Sequence, residues 1–186
     1  MAQLIAFIMT SLDGFYEGPG ERELDWHNVD AEFNEFAVAQ LDEAGTLVFG
    51  RRTYDLMAEF WPSDEAIAND PQVASRMNAM DKIVCSSTMS RADWSGTTLV
   101  SGDAVEAIAE LKSSAERDLL VLGSQELTGS FATAGVLDEL RVMVNPVTLG
   151  RGKSLFMHTM VRVPLQLVGN RRFSSGNVLL TYRPAP

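Results

Sequence analysis

TLVFGRRTYDLM, residues 46–57, decides how the rest of the chain is read. Thr46 to Phe49 suit a strand buried on both faces, Gly50 ends it, and Thr53, Tyr54 and Met57 begin a helical period. A strand that runs directly into a helix is the joint from which α/β folds are built. Arg51 and Arg52 occupy the first helical turn, where the helix dipole is already positive and an anion is the favoured neighbour. Glycine at the joint lets backbone approach a ligand, and Arg51, Arg52 and the Thr53 hydroxyl would surround a phosphate. The plainer alternative is a simple turn at Gly50, with both arginines reaching solvent or nearby acids.

Working outward, the same grammar repeats. QLIAFIM (3–9), KIVC (82–85) and DLLVL (118–122) are short, near-continuous apolar runs of the kind found in parallel sheets. Between them, Phe33, Phe36, Ala37, Leu41 and Ala44 share one helical face, as do Val105, Ile108 and Leu111 in DAVEAIAELK. Asp103 with Glu106 forms a capping box there. Another helix is expected from Ser124 to about Ala134, stopped by Gly135. The character then changes: ELRVMVNPVTL (139–149) is a strand interrupted by Pro146, and PLQLVGNRRF and NVLLTYR flank the turn SSG at 174–176. This order predicts one domain over residues 1–186. Its fold is a three-layer α/β arrangement with a mixed, mostly parallel sheet of about eight strands and a C-terminal antiparallel hairpin. Segments 13–30 and 61–72 read as irregular loops facing a substrate.

Composition narrows the function classes. A net charge of −10 argues against general binding of nucleic acid or a membrane surface, so an anion site has to be a local positive spot. Cys85 is the only cysteine, which excludes intramolecular disulfides and makes an inert buried thiol the expectation. His27 and His158 offer no metal-ligand spacing, and no metal is expected. LIAFIM has no basic leader and is too short for a signal peptide or a membrane span, so a cytoplasmic location is expected. G-x-S-x-G, G-x-x-x-x-G-K and G-x-G-x-x-G are all absent, which disfavours a serine hydrolase, a Walker-type nucleotide hydrolase and a standard Rossmann dehydrogenase.

Two further strand ends join the first. KIVCSSTM leaves its strand through Ser86, Ser87 and Thr88 with no acid among them. NAD-preferring folds place a carboxylate where the adenosine ribose lands, whereas hydroxyls with Arg91 nearby would accept a 2′-phosphate. The alternative is an ordinary polar turn. VLGSQELTGSF enters a helix through Gly123, Ser124 and Gln125, a second glycine at such a joint, with Ser124 alternatively a simple N-cap. Two helix starts and a hydroxyl patch on one sheet edge would hold the pyrophosphate and ribose phosphate of a dinucleotide together.

In this order, SLDGF (11–15), VFGRRTYD (48–55), KIVCSST (82–88), GSQEL (123–127), VLDELRV (136–142) and PVTLGRGKSLF (146–156) resemble the dihydrofolate reductase superfamily. The most similar branch is the reductase domain of bifunctional riboflavin-biosynthesis proteins and its stand-alone relatives. The resemblance implies an NADPH-dependent reductase. It carries cofactor contacts onto Gly50, Arg51, Arg52 and Thr53, onto Ser86, Ser87 and Thr88, and onto Gly123, Ser124, Gln125 and Leu127. A homodimer through the C-terminal strands is implied as well.

The same resemblance nominates catalytic acids. Dihydrofolate reductases hold the pterin with a carboxylate on the first helix, shortly after a Trp; here Trp26 precedes Asp30 and Glu32. The riboflavin branch carries its acid in the SLDG segment, which is Asp13. Burial beside the nicotinamide would raise the pKa of such an acid toward usefulness. Structural alternatives stand beside each: Asp13-Gly14 is a common turn pair, and Asp30 is placed to cap the helix of Phe33. Trp26, Trp61 and Tyr54 are expected to wall a pocket for a planar heterocycle, with core packing the alternative for Tyr54 and Trp61. Gly150 and Gly152 match a family loop near the active site. The leading expectation is reduction of a small heterocyclic or carbonyl substrate, by resemblance that of 5-amino-6-(5-phosphoribosylamino)uracil or dihydrofolate. The rivals are a non-catalytic NADP-binding sensor and a purely structural dimer module.

Overall fold

Apolar residues alternate along the central strands in two registers, and each register feeds a different layer. The computed structural model describes residues 2–156 and 161–185, so His158 lies outside the described residues. In chain order the elements are β1 (Leu4–Ser11), β2 (Phe15–Glu17), α1 (Ala31–Glu43), β3 (Ala44–Gly50), α2 (Arg51–Phe60), α3 (Asp64–Asn69), α4 (Pro71–Ala79) and β4 (Asp81–Cys85). There follow β5 (Thr97–Val100), α5 (Ala104–Ser114), β6 (Asp118–Leu122), α6 (Gln125–Thr133), β7 (Glu139–Asn145), β8 (Lys153–Ser154), β9 (Leu165–Arg172) and β10 (Val178–Pro184).

Eight strands form one sheet in the order β5-β4-β3-β6-β1-β7-β10-β9. The first six are mutually parallel, β10 runs antiparallel to β7, and β9 antiparallel to β10. The mixed, mostly parallel sheet with a C-terminal hairpin is therefore present. Ile5, Phe7, Leu47, Phe49 and Leu120 face one layer, where they pack with Phe36 of α1, Tyr54 of α2 and Met77 of α4. Leu4, Ala6, Val48, Leu119 and Val121 face the other, against Ile108 of α5 and Phe131 of α6. Burial on both faces explains why these strands read as unbroken apolar runs.

The strand order creates a crevice. β3 and β6 are neighbours, but from β3 the chain passes outward to β4, while from β6 it passes the other way, across β1, to β7. Right-handed crossovers in opposite directions place the two following helices on opposite faces of the sheet. Tyr54 and Phe131 accordingly belong to different core clusters. Both helices start at the same carboxyl edge, and such a switch point is where open α/β sheets bind ligands.

Two loop expectations need correction. Segment 61–72 is largely helical: Ser63 caps α3 by accepting the Ala66 N–H, and Pro71 opens α4 at the first-turn position that proline tolerates. Segment 13–30 contains β2, which pairs antiparallel with β8. Pro146 does not interrupt a strand, because β7 ends at Asn145. TTLV, with no expectation attached to it, supplies the edge strand β5. No helix among the described residues is long and apolar enough to cross a membrane.

The loop before α1 is tied to the sheet through Asn28. Its N–H donates to Asn145 Oδ1 at 2.8 Å, its amide nitrogen to the Ser175 carbonyl at 2.9 Å, and Asn177 donates to its carbonyl at 2.8 Å. His27 beside it has a buried Nε2 with no partner among the described residues, and burial pushes its pKa down to about 4. The unfolded chain therefore binds the proton better than the folded one. Stability should be fully present above about pH 6.5 and decline by on the order of 3 kcal/mol as pH falls to about 4. Thermal melts between pH 4 and 7 check this: His27→Gln should flatten that slope, and an unchanged slope would remove His27 as its cause.

Candidate cofactor cleft

At the crevice the two helix starts touch. The Gly50 N–H donates to Ser124 Oγ at 3.0 Å, and the Ser124 N–H donates to Thr53 Oγ1 at 3.2 Å. A side chain at Gly50 would collide with Ser124 Oγ, and one at Gly123 would lie 3.1 Å from the Thr53 methyl. Gly123 has φ +61°, and Ser124 follows it with φ 54°, a left-handed conformation that a residue with a side chain rarely adopts. Leu127 packs against the same spot, 3.7 Å from where a Gly50 side chain would begin. Ser124 is thus no ordinary N-cap. Its hydroxyl serves the neighbouring strand end, and α6 has no side-chain cap.

Nor does α2. By contrast α1, α3 and α5 are each capped by a side chain, from Asp30, Ser63 and Asp103. The first-turn N–H groups of α2 and α6 therefore remain available as donors beside each other, with Gln125 buried at the second start. No acidic residue lies in the first turn of α2. Two adjoining, uncapped helix starts suit the paired phosphates of a dinucleotide.

The two arginines part ways. Arg51 reaches toward the end of β4 and donates to Thr88 Oγ1 at 2.6 Å, with Asp55 3.6 Å from its Nε. This brings the first and second strand ends together. Ser86 shapes the turn there by accepting the N–H groups of Thr88 and Met89, at 3.3 and 3.1 Å, while Ser87 is exposed. Beyond them opens a groove of about 750 Å3 whose lining includes Arg51, Thr88, Ser90, Arg91 and Trp94. Arg52 instead pairs with Glu17 of β2 at 3.3 Å. Glu17 is buried, which by itself would raise its pKa; the Lys153 ammonium at 2.5 Å, the Arg22 N–H and the charges of Lys153 and Arg52 outweigh this and lower it. Sequence reasoning missed Glu17, Lys153 and this knot altogether, because nothing in their local sequence marks them as partners.

The three candidate acids are all occupied. Asp13 accepts from Ser11 Oγ at 2.6 Å, from the Gly150 N–H at 2.7 Å and from the Leu149 N–H at 3.1 Å. These bonds, led by the one from Ser11, lower its pKa. Asp30 caps α1 by accepting the Phe33 N–H at 2.8 Å. Glu32 accepts the N–H and hydroxyl of Ser174, each at 2.8 Å, and Arg171 at 3.0 Å, which bring its pKa down to about 2. The expectation of an acid raised by burial is therefore corrected: Asp13 and Glu32 are ionised at neutral pH, Asp13 as the clasp of the 146–152 loop.

Tyr54 is 3% exposed, packs between Phe49 and Trp94, and its hydroxyl accepts the Trp94 N–H at 2.9 Å, so it belongs to the core while also lining the groove beside Arg51. Trp26 stays half-buried in its loop, its indole N–H donating to the Glu23 carbonyl at 3.0 Å. Gly150 gives its N–H to Asp13, and Gly152 leaves no room for a side chain against the Glu17 carbonyl, so both close the loop onto β2. Cys85 is buried, and burial raises its pKa to about 11.

The model of the RibD C-terminal domain family matches residues 2–179. The chain belongs to that family. The uncharacterized protein YyaP of Bacillus subtilis (strain 168) is 30% identical over 182 residues, covering 97% of this chain and 94% of that protein. A putative riboflavin biosynthesis protein from Shewanella sp. PV-4 superposes with a TM-score of 0.75 at 26% identity, covering all of both chains. Dihydrofolate reductase from Enterococcus faecalis, solved with NADP(H), shares the fold with a TM-score of 0.66 at 18% identity over 99% of this chain and 97% of that one. The dihydrofolate reductase-like architecture of this RibD-type domain is therefore established.

The contact between the helix starts yields a prediction. Gly50→Ala should cost about 1–3 kcal/mol through overpacking, read as a lower melting temperature. Because the colliding atom is Ser124 Oγ, adding Ser124→Gly should recover most of that loss. Additive losses in the double variant would show that the two residues do not meet.

Proposed function

We propose that this RibD-type domain is an NADPH-dependent reductase of a small heterocyclic or carbonyl substrate, working as one unit over residues 1–186. The observation that carries this reading is the pair of uncapped helix starts locked together at the switch point, with Arg51 and three hydroxyls beside them. The Enterococcus reductase of the same fold was solved with NADP(H), which supports the choice of cofactor.

Bound NADPH would supply the hydride. The first-turn amides of α2 and α6, with Thr53, Gly123, Ser124 and Gln125 shaping them, bind the pyrophosphate. Arg51, Ser86, Ser87 and Thr88 receive the 2′-phosphate, a pairing of guanidinium and phosphate that is strong and directional. Asp13 fixes Leu149 and Gly150 so that the loop covers the rim at the end of β1. The accompanying proton comes from water at the open rim, since Asp13 and Glu32 carry none at neutral pH. Trp26 and the 146–152 loop border the substrate. The aminouracil of riboflavin biosynthesis and dihydrofolate are the first substrates to assay. The occupied acids also favour a second reading, a non-catalytic NADP-binding protein; turnover-dependent NADPH oxidation with either substrate separates the two.

Self-association accompanies this proposal. Among the described residues β9 ends the sheet with an unpaired edge and leaves Leu165, Leu167 and Val168 37–48% exposed. Such an edge is a template for pairing unless covered, and a second copy of this strand covers it symmetrically. Light scattering should find a dimer that Leu167→Glu converts to monomer; a monomeric parent at micromolar concentration rejects it.

The cofactor assignment is tested by titration. Arg51→Ala and Ser87→Ala should each raise the Kd for NADPH by about tenfold, or about 1.4 kcal/mol, while changing NADH by less than about threefold. Equal losses for both cofactors would show that these residues do not receive the 2′-phosphate.

A further inference from the structure

The groove beside Arg51 is bridged twice. One wall is a face of α2 that carries Arg51 and, one turn on, Tyr54; the other is the 86–96 connection between β4 and β5, with Thr88 and Trp94. At the exposed end Arg51 donates to Thr88 Oγ1 at 2.6 Å. At the buried end the Trp94 N–H donates to the Tyr54 hydroxyl at 2.9 Å. The connection contains neither helix nor strand, so its shape depends on anchors of this kind. Trp94 is held on other sides too. Its indole N–H donates to Asn78 Oδ1 at 2.9 Å, and the Lys82 ammonium lies 4.6 Å from the centre of its ring. Lys82 is 1% exposed and donates to the carbonyls of Met80 and Asn78, at 2.5 and 3.3 Å. Its charge is met by carbonyls and by an aromatic face, an attraction that strengthens when water is excluded.

We infer that Tyr54 and Lys82 are positioning residues for cofactor specificity. By fixing Trp94 they hold the 86–96 connection against α2, and so keep Ser86, Ser87 and Thr88 at the spacing from Arg51 that a 2′-phosphate requires. The inference rests on the cofactor reading above and gives neither residue a ligand contact of its own. In that reading the pyrophosphate sits at the starts of α2 and α6, to which the connection contributes nothing. NADH lacks the 2′-phosphate, so its binding should be indifferent to the clamp, whereas that of NADPH should not.

The experiment titrates NADPH and NADH by fluorescence into the full chain, Tyr54→Phe, Lys82→Met, Arg51→Ala and the double variant Arg51→Ala/Tyr54→Phe. Tyr54→Phe leaves the Trp94 N–H unpaired in the core and lowers the melting temperature in any case, so discrimination between the two nucleotides is the deciding readout. The Kd for NADPH should rise about fivefold in Tyr54→Phe and in Lys82→Met, and that for NADH by less than about twofold. Because the clamp acts through Arg51 and its partners, the double variant should bind NADPH no more weakly than Arg51→Ala alone. Lys82→Met keeps the reach of the side chain and gives the reading if Tyr54→Phe does not fold. An unchanged Kd for NADPH overturns the assignment of the residue replaced. Equal losses for both nucleotides, or losses that add fully to that of Arg51→Ala, overturn the inference as a whole. A parent that binds neither nucleotide removes the cofactor reading and this inference with it; a parent and variants that prefer NADPH equally remove this inference alone.

Discussion

Two hydrogen bonds across the top of neighbouring strands hold the cleft in shape: Gly50 N–H to Ser124 Oγ, and Ser124 N–H to Thr53 Oγ1. They join helices that lie in different layers and are separated elsewhere by the whole sheet. Only at the sheet edge can such helices meet, and only a residue without a side chain at position 50 lets them approach this closely. Ser124 adopts a left-handed backbone to reach its partner, a conformation costing about 1–2 kcal/mol that the paired bonds offset. The hydroxyl that would otherwise cap α6 is consumed in the joint, so the first-turn amides stay free. Structural closure and the open helix starts thus have one origin.

The rest of the rim is built by spending carboxylates. Asp13 clasps Leu149 and Gly150, Glu17 gathers Lys153, Arg52 and Arg22, Asp30 caps α1, and Glu32 holds Ser174 and Arg171. Each negative charge is answered locally by N–H groups or cations. A chain of net charge −10 can in this way still present a positive spot, since Arg51 leans toward hydroxyls at the end of β4. Polar groups committed to backbone in this manner position loops, and Asp13 and Glu32, held ionised, carry no proton at neutral pH.

Features carried by neighbours in sequence were legible before the fold was known. Gly50 followed by Arg51 to Thr53, the second glycine joint at Gly123, the cap at Asp30 and the turn at 174–176 each depend on residues a few positions apart, where backbone conformation and side-chain capping are local matters. Short helices with little apolar surface escaped: α3 has only Ala66 buried, and its signals were the Ser63 cap and Pro71. β5 is four residues long and only partly buried, too brief for any period to register. Tyr54 was ambiguous for another reason, because an aromatic at helical spacing suits a pocket wall and a core alike until Trp94, forty positions on, claims its hydroxyl.

By itself the sequence determined the class of fold, the strand-to-helix joints and the acidic balance, because strand and helix periods, glycine joints and charge are written in adjacent residues. Only the tertiary structure decided which groups are free. Asp13 meets Gly150 across a separation of 137 positions, Ser124 meets Gly50 across 74, and Glu17 meets Lys153 across 136. A hydrogen bond between such distant residues depends on strand order and crossover hand, which no local stretch of chain encodes, and it is these bonds that turn candidate acids into clasps and leave two helix starts open.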